Sequence, residues 1–70
     1  MPRKLEWTTE DHRKFEAKPE EQVLITVHEV GVGVWKWFIY RYGIKIARGQ
    51  ASYLSWAKEE AERVYKKEVR

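Results

Sequence analysis

The chain contains no cysteine. This absence excludes disulfides, thiolate zinc sites and a cysteine nucleophile, and it favours a reducing compartment such as the cytoplasm. No apolar run approaches the roughly 20 residues that cross a bilayer, and the N-terminus lacks the apolar segment of a signal peptide, so we expect no membrane partner. A chain of 70 residues without disulfides depends on packing, for which its four tryptophans and four tyrosines provide large apolar surfaces.

Groups suited to catalysis or metal binding are also scarce. The two histidines, His12 and His28, have no third ligand at helical or hairpin spacing, so we expect no metal site. The single aspartate, Asp11, is adjacent to His12 rather than placed to orient it, and both serines lie at the expected start of a helix. All four glycines fit turns, and no phosphate-binding loop occurs. We therefore expect neither an enzyme nor a cofactor.

Positive charge is concentrated in the middle of the chain. Residues 1–22 hold five basic and six acidic side chains. Residues 23–53 hold four basic side chains and one acidic one, and residues 54–70 hold five basic and four acidic side chains. The whole chain has a formal net charge of +3, and the central part alone carries an excess of the same size. An anionic partner would therefore meet the central part of the chain.

Residues 23–49 predict a three-stranded antiparallel meander. Val23–Val30 is rich in β-branched residues, and Gly31–Gly33 follows as a three-residue hairpin loop. The second strand, Val34–Tyr42, has large side chains on both faces and leads through a tight turn at Tyr42-Gly43 into a third strand, Ile44–Gly49. The loop lengths predict the pairs Arg41–Ile44, Ile39–Ile46 and Trp37–Arg48 in the second hairpin, and Val30–Val34, His28–Lys36, Thr26–Phe38 and Leu24–Tyr40 in the first.

Residues Ser52–Val69 predict a helix capped by Ser52 or Ser55. Its apolar stripe comprises Tyr53, Leu54, Ala57, Ala61, Val64, Tyr65 and Val69. The small alanines would let the helix approach the inner face of the sheet, which is predicted to hold Val23, Ile25, Val27, Trp35, Trp37, Ile39, Ile44 and Ile46. We therefore expect an α+β domain of order β-β-β-α over residues 23–70. The N-terminal segment, residues 1–22, would add a short strand near residues 13–17 or cover the sheet.

The other face of the predicted sheet is the main candidate for function, because a soluble monomer rarely exposes so large an apolar patch without a use for it. The N-terminal segment could cover this face with Leu5, Trp7 or Phe15, or the face could form a homodimer. Alternatively, it could bind a nucleic acid or a protein, since aromatic rings stack on unpaired bases and lysines meet phosphates. The residues predicted on this face are Leu24, Thr26, His28, Val30, Val34, Lys36, Phe38, Tyr40, Lys45 and Ala47.

Three further residues allow more than one interpretation. Arg41 and Arg48 are predicted at the rim of the inner face, where their stems would cover Trp37 and their heads would reach water or Glu68; the alternative is contact with phosphate. Trp56 falls outside the apolar stripe of the helix. It would pack back on the preceding loop as a hydrophobic staple, or, if exposed, serve as an interface hot spot.

A recurrent pattern links the second strand to the helix. Trp35 and Trp37 on a strand precede the turn glycine Gly43, the strand Ile44–Gly49, and alanines at i and i+4 of the helix. With these features the segment Val34–Val64 resembles the YegP-like domains of unknown function and the three-stranded DNA-binding domains of the AP2 and phage-integrase arm-binding type. The second resemblance implies a sheet face in the major groove, the helix packed behind it, and Lys36, Phe38, Tyr40 and Lys45 facing DNA.

Taken together, these patterns favour a small non-enzymatic nucleic-acid-binding domain that uses the outer face of its sheet. Lys36, Lys45 and Arg41 would neutralise phosphates, while Phe38 and Tyr40 would stack on bases or wedge between them. The alternatives are a protein-interaction module, such as a phage-type inhibitor or regulatory adaptor, and a homodimer formed through the same face. The candidate binding residues are His28, Lys36, Phe38, Tyr40, Arg41, Lys45 and Trp56.

Overall fold

A computed structural model of the chain describes residues 5–9 and 11–68. These residues form one antiparallel sheet, in which the strands follow each other in chain order, and a C-terminal helix on one face. The predicted α+β class is confirmed, but the sheet has five strands and not three. The elements are β1 (Thr8–Thr9), β2 (Lys14–Glu20), β3 (Val23–Gly31), β4 (Val34–Arg41), β5 (Ile44–Ala51) and α1 (Leu54–Glu68).

The two additional strands come from the N-terminal segment. In β2 apolar and charged residues alternate, so Phe15 and Ala17 face the core while Lys14 and Glu16 face the other way. β2 pairs with β3 along the free side of the meander, and the short strand β1 pairs with β2. Within the described residues, this segment therefore widens the sheet.

Leu5, Trp7 and Phe15 pack on the helix side of the sheet, and not across the outer face as one interpretation required. The backbone N–H of Leu5 donates to Glu62 Oε1 at 3.4 Å. Lys58 Nζ lies 5.5 Å from the ring centroid of Trp7 and 4.3 Å from that of Phe15, so a helix cation covers both rings. The described part of the N-terminal segment thus leaves the outer face open.

The first hairpin of the meander largely has the predicted register. The pairs Leu24–Tyr40, Thr26–Phe38 and His28–Lys36 are confirmed. Next to the loop, Gly31 pairs with Val34 and the extra residue is Val30, so the predicted pair Val30–Val34 is wrong. The turn itself is Val32-Gly33, with Gly33 at φ +71°.

The second hairpin changes register along its length. The pair Arg41–Ile44 beside the turn is confirmed, but a β-bulge at Ile46 then shifts β5 by one residue. Ile46, the extra residue of the bulge, is 39% exposed, and Ile44 is 67% exposed although it keeps its predicted pair, so neither belongs to the core. The observed pairs Ile39–Ala47, Phe38–Arg48 and Trp37–Gly49 replace the predicted pairs Ile39–Ile46 and Trp37–Arg48. Ala47 therefore faces the core, and Arg48 faces outward.

The bulge is explained by the packing of Trp37. Its indole lies on the backbone of Gly49, where a Cβ would come within 2.5 Å of Cε2 and 2.7 Å of Nε1. Any other residue opposite Trp37 would displace the ring. Trp37 is only 4% exposed, and its Nε1–H donates to Glu60 Oε1 of the helix at 3.2 Å. The shifted register thus brings the one glycine of β5 to the position where the largest ring needs room.

The helix packs through its small residues, as predicted. Ala57 and Ala61 are fully buried against a core formed by Val23, Ile25, Val27, Trp37 and Ile39 of the sheet, with Ala17. Leu54, Val64 and Tyr65 pack around them. The helix begins at Leu54 rather than Ser52, and the carbonyl of Tyr53 accepts the N–H of Ala57 at 3.0 Å. Tyr53 therefore holds the N-cap position predicted for a serine, and Val69 lies outside the described residues.

We predict that Gly49→Ala destabilises the fold by about 1–3 kcal/mol, because the added methyl group overpacks the site of the Trp37 ring. The measurement is equilibrium denaturation in guanidinium chloride. Gly31→Ala is the matched control, since a Cβ there meets nothing within 4 Å and the residue does not have a positive φ. The free energy of unfolding of that variant should lie within about 0.5 kcal/mol of the wild-type value or slightly above it. Equal effects of the two substitutions would contradict the proposed packing.

A carboxylate holds the turn between β1 and β2. Asp11 Oδ1 accepts the backbone N–H of Arg13 at 3.0 Å and that of Lys14 at 3.2 Å. The first of these hydrogen bonds is the main cause that holds the pKa of Asp11 below its ordinary value. Because the folded pKa is lowered, the carboxylate stabilises the turn above the unfolded pKa, and this contribution is lost as the pH falls through the folded pKa.

An NMR titration of the Asp11 carboxyl carbon tests this assignment. Its midpoint should lie lower in the folded protein than in a peptide of residues 8–16, which lacks the rest of the sheet. A midpoint equal to or above that of the peptide would show that the turn does not hold the carboxylate.

Candidate functional site

Three cross-strand rows of side chains form the face of the sheet opposite the helix. The strand register determines which residues belong to each row, because directly paired residues share a face. We use the name outer face for these rows, which are Lys14–His28–Lys36–Gln50, Thr8–Glu16–Thr26–Phe38–Arg48 and Leu24–Tyr40–Lys45.

Aromatic rings occupy the centre of the outer face. The rings of His28 and Phe38 stack with centroids 5.6 Å apart and planes 19° apart, and Tyr40 lies 6.4 Å from Phe38 in a tilted arrangement. Lys45 Nζ is 4.5 Å from the centroid of the Phe38 ring, a cation–π distance. Phe38 is therefore already engaged by an imidazole and by an ammonium group. Thr26, which pairs directly with Phe38, is only 8% exposed.

Basic side chains surround these rings. Lys14, Lys36, Lys45 and Arg48 belong to the outer face, against the single acidic residue Glu16. One ion pair is present in the described part of the chain, between Lys14 Nζ and Glu16 Oε2 at 3.7 Å. The other residues that the structure describes hold seven basic and nine acidic side chains. The outer face therefore carries the positive excess of the described residues.

Two shallow hollows lie along this face, and Tyr40 lines both. The first is bordered by Thr26, His28, Phe38 and Tyr40, with Asp11, Arg13, Lys14 and Glu29 at its rim. The second lies at the end of the sheet and is lined by Lys18, Glu21, Gln22, Val23, Leu24, Tyr40, Tyr42 and Gly43. The first hollow combines aromatic rings with two basic and two acidic residues, and the second combines two tyrosines with one lysine and one glutamate.

Most of the predicted site residues meet on this one surface. His28, Lys36, Phe38, Tyr40 and Lys45 all belong to the outer face, and Lys36 and Lys45 are exposed to solvent. The structure thus places two of the three predicted cations, Lys36 and Lys45, on the same face as the predicted rings. Val30, Val34 and Ala47 are not part of the three rows, so the surface is less apolar than the sequence indicated.

Arg41 and Trp56 lie elsewhere. Arg41 is the last residue of β4, where its Cζ is 5.8 Å from the ring centroid of Tyr42 and its buried Nε has no hydrogen-bond partner in the described part of the chain. Trp56 is on the helix and therefore on the opposite side of the sheet from the outer face. It is 55% exposed and makes an edge contact with Tyr53 at 4.7 Å, so it does pack back on the residue before the helix.

Two cations of the outer face, Lys14 and Arg48, were not assigned to it from the sequence. Lys14 could have been recognised from the alternation in β2. Arg48 had no local signal, because its orientation depends on the bulge at Ile46.

No protein-family model matches the chain, and no match was found among curated proteins or solved structures. The resemblances to YegP-like and AP2-type domains therefore stay predictions. Among residues 5–9 and 11–68, no group of three or more His, Cys, Asp or Glu side chains is placed to hold a metal ion. No helix in the same residues is long and apolar enough to cross a membrane.

Proposed function

We propose that the chain is a small non-enzymatic domain that binds nucleic acid through the outer face of its sheet. The observation that supports this proposal is that basic side chains are concentrated on the exposed face of the sheet. Four basic side chains and one acidic side chain lie on the one sheet face that neither the helix nor the described N-terminal residues cover, whereas acidic side chains outnumber basic ones in the rest of the described chain. A polyanion would neutralise this charge and release counterions.

The arrangement of the cations suits a phosphate backbone. Lys45 and Arg48 lie on the edge strand β5, and Lys36 lies in the row beside Arg48. No ion pair among the described residues engages these three side chains, so none has to be broken when a phosphate binds. Lys14 is held by Glu16 and should contribute less. Three phosphate contacts predict a slope of about −2 to −3 in a plot of log affinity against log salt concentration.

The rings provide the second part of the surface. Tyr40 lines both hollows, and a base can stack on a phenol face regardless of its sequence. Phe38 contributes less direct stacking than predicted from the sequence, because His28 and Lys45 already contact its ring. A sheet with its helix packed behind is also the arrangement that the AP2-type resemblance implies.

A protein-interaction module is the second candidate, and a different surface favours it. Tyr53 and Trp56 are 59% and 55% exposed at the start of the helix, on the side of the molecule away from the outer face. Exposed aromatic residues of this kind dominate many interfaces between proteins. Such a module would lose its partner on Trp56→Ala and keep it on Lys36→Ala.

We predict that Arg48→Glu weakens binding of a fluorescein-labelled oligonucleotide by at least about 10-fold and lowers the magnitude of the salt slope by about one. Fluorescence anisotropy at several salt concentrations measures both quantities. Arg63→Glu is the matched control, since it makes the same change of charge at an exposed residue of the helix. That variant, and Trp56→Ala, should change the affinity by less than about 2-fold.

Two outcomes would contradict the proposal. If Arg48→Glu and Arg63→Glu weakened binding equally, the attraction would depend on net charge and not on the outer face. If neither DNA nor RNA bound, or if binding did not depend on salt, the domain would not be a nucleic-acid-binding domain.

A further inference from the structure

Tyr42 has a backbone conformation that is unfavourable for its side chain. It lies at φ +54° and is followed by Gly43 at φ +78°, so both central residues of the turn between β4 and β5 are in the left-handed region. Turns of this kind strongly favour Asn-Gly, because a tyrosine Cβ is crowded at positive φ. The backbone N–H of Tyr42 donates to the carbonyl of Gln22 at 2.8 Å, which holds the turn in place.

Burial of the tyrosine side chain does not compensate for this unfavourable backbone conformation. The side chain is 73% exposed, and the Arg41 guanidinium, 5.8 Å from the ring centroid, is the neighbour that contacts it. Neither folding nor turn geometry therefore accounts for a tyrosine at this position. A strained residue that the fold does not require is a reason to look for a role in function.

The surroundings of Tyr42 indicate what that role is. Its ring lines the hollow at the end of the outer face, together with Tyr40 and Leu24. Lys18 lies at the same hollow, and the Arg41 guanidinium lies beside the Tyr42 ring. The hollow thus combines two phenol rings and an apolar side chain with one cation, Lys18, and one carboxylate, Glu21, and Arg41 adds a second cation beside the Tyr42 ring. The rings and the cations are the combination that a base with its phosphate requires.

We propose that Tyr42 is a base-stacking residue and that it makes the outer face select single-stranded over double-stranded nucleic acid. This inference rests on the proposed function. An unpaired base has a free face that can enter the hollow and stack on a ring. In a duplex both faces of each base are already stacked, so the same contact would first require unstacking. The ring of Phe38 contributes less to this selection, because His28 and Lys45 already contact it.

The test is Tyr42→Asn, a substitution that removes the ring and improves the turn. Asparagine adopts positive φ more readily than tyrosine, so the midpoint of thermal unfolding should be unchanged or higher. Affinity for a single-stranded oligothymidylate or oligouridylate should fall roughly 5- to 100-fold, the usual effect of losing one base stack. Affinity for a duplex of the same length should change by less than about 2-fold.

Two further variants separate the ring from the backbone. Tyr42→Phe keeps a stacking face and the strained conformation, so it should bind the single strand like the wild type. Tyr42→Gly removes both ring and strain, and it repeats the test should Tyr42→Asn unfold the protein. Circular dichroism and thermal unfolding check each variant before binding is measured.

The inference is overturned if ring-free variants bind the single strand as tightly as the wild type, or if the wild type binds duplex at least as well as single strand. Its failure can be distinguished from failure of the proposed function. If the wild type bound single strand and duplex equally, and Arg48→Glu weakened both interactions, the inference would be wrong. The proposed function would still be supported. Absence of binding to either form would remove both.

Discussion

The contact between the Trp37 indole and the backbone of Gly49 determines much of the structure. Because no Cβ fits under the ring, β5 must present its glycine opposite Trp37, and the bulge at Ile46 achieves this. On the helix side, the Trp37 Nε1–H donates a hydrogen bond to Glu60, which holds the ring in place. Ala57 and Ala61 complete the packing, since larger side chains would hold the helix away from the indole.

The same contact sets the charge of the opposite face. Successive residues of a strand point to opposite sides, so turning Gly49 inward turns Arg48 outward, opposite Phe38. In the register predicted from the turn, Arg48 would have faced the core and Ala47 would have taken its place outside. Core packing on one side of the sheet thus adds a cation to the binding surface proposed on the other. A buried tryptophan thus determines which residue of β5 lies on the outer face.

The parts of the fold that could be predicted are those in which several local sequence patterns indicate the same structure. In the hairpin of β3 and β4 the apolar alternation and the glycine loop both indicate the observed register, which correctly assigned His28, Phe38 and Tyr40 to the outer face. β2 was only partly recognised, because its inward apolar residues Phe15 and Ala17 are followed by Pro19, a residue that argues against a strand. The register of β5 could not be predicted. Its turn and its alternating isoleucines favour regular pairing, and the need for a glycine under Trp37 is a tertiary constraint.

The central claim is that the outer face is the surface that binds nucleic acid. An amide chemical-shift titration with a short single-stranded oligonucleotide, run at two salt concentrations, tests it most directly. The account predicts salt-sensitive shifts over residues 24–28, 36–42 and 45–50, with the helix from residue 57 to 65 unaffected. Shifts confined to residues 53–60, around Tyr53 and Trp56, or no shifts at either salt concentration, would contradict it.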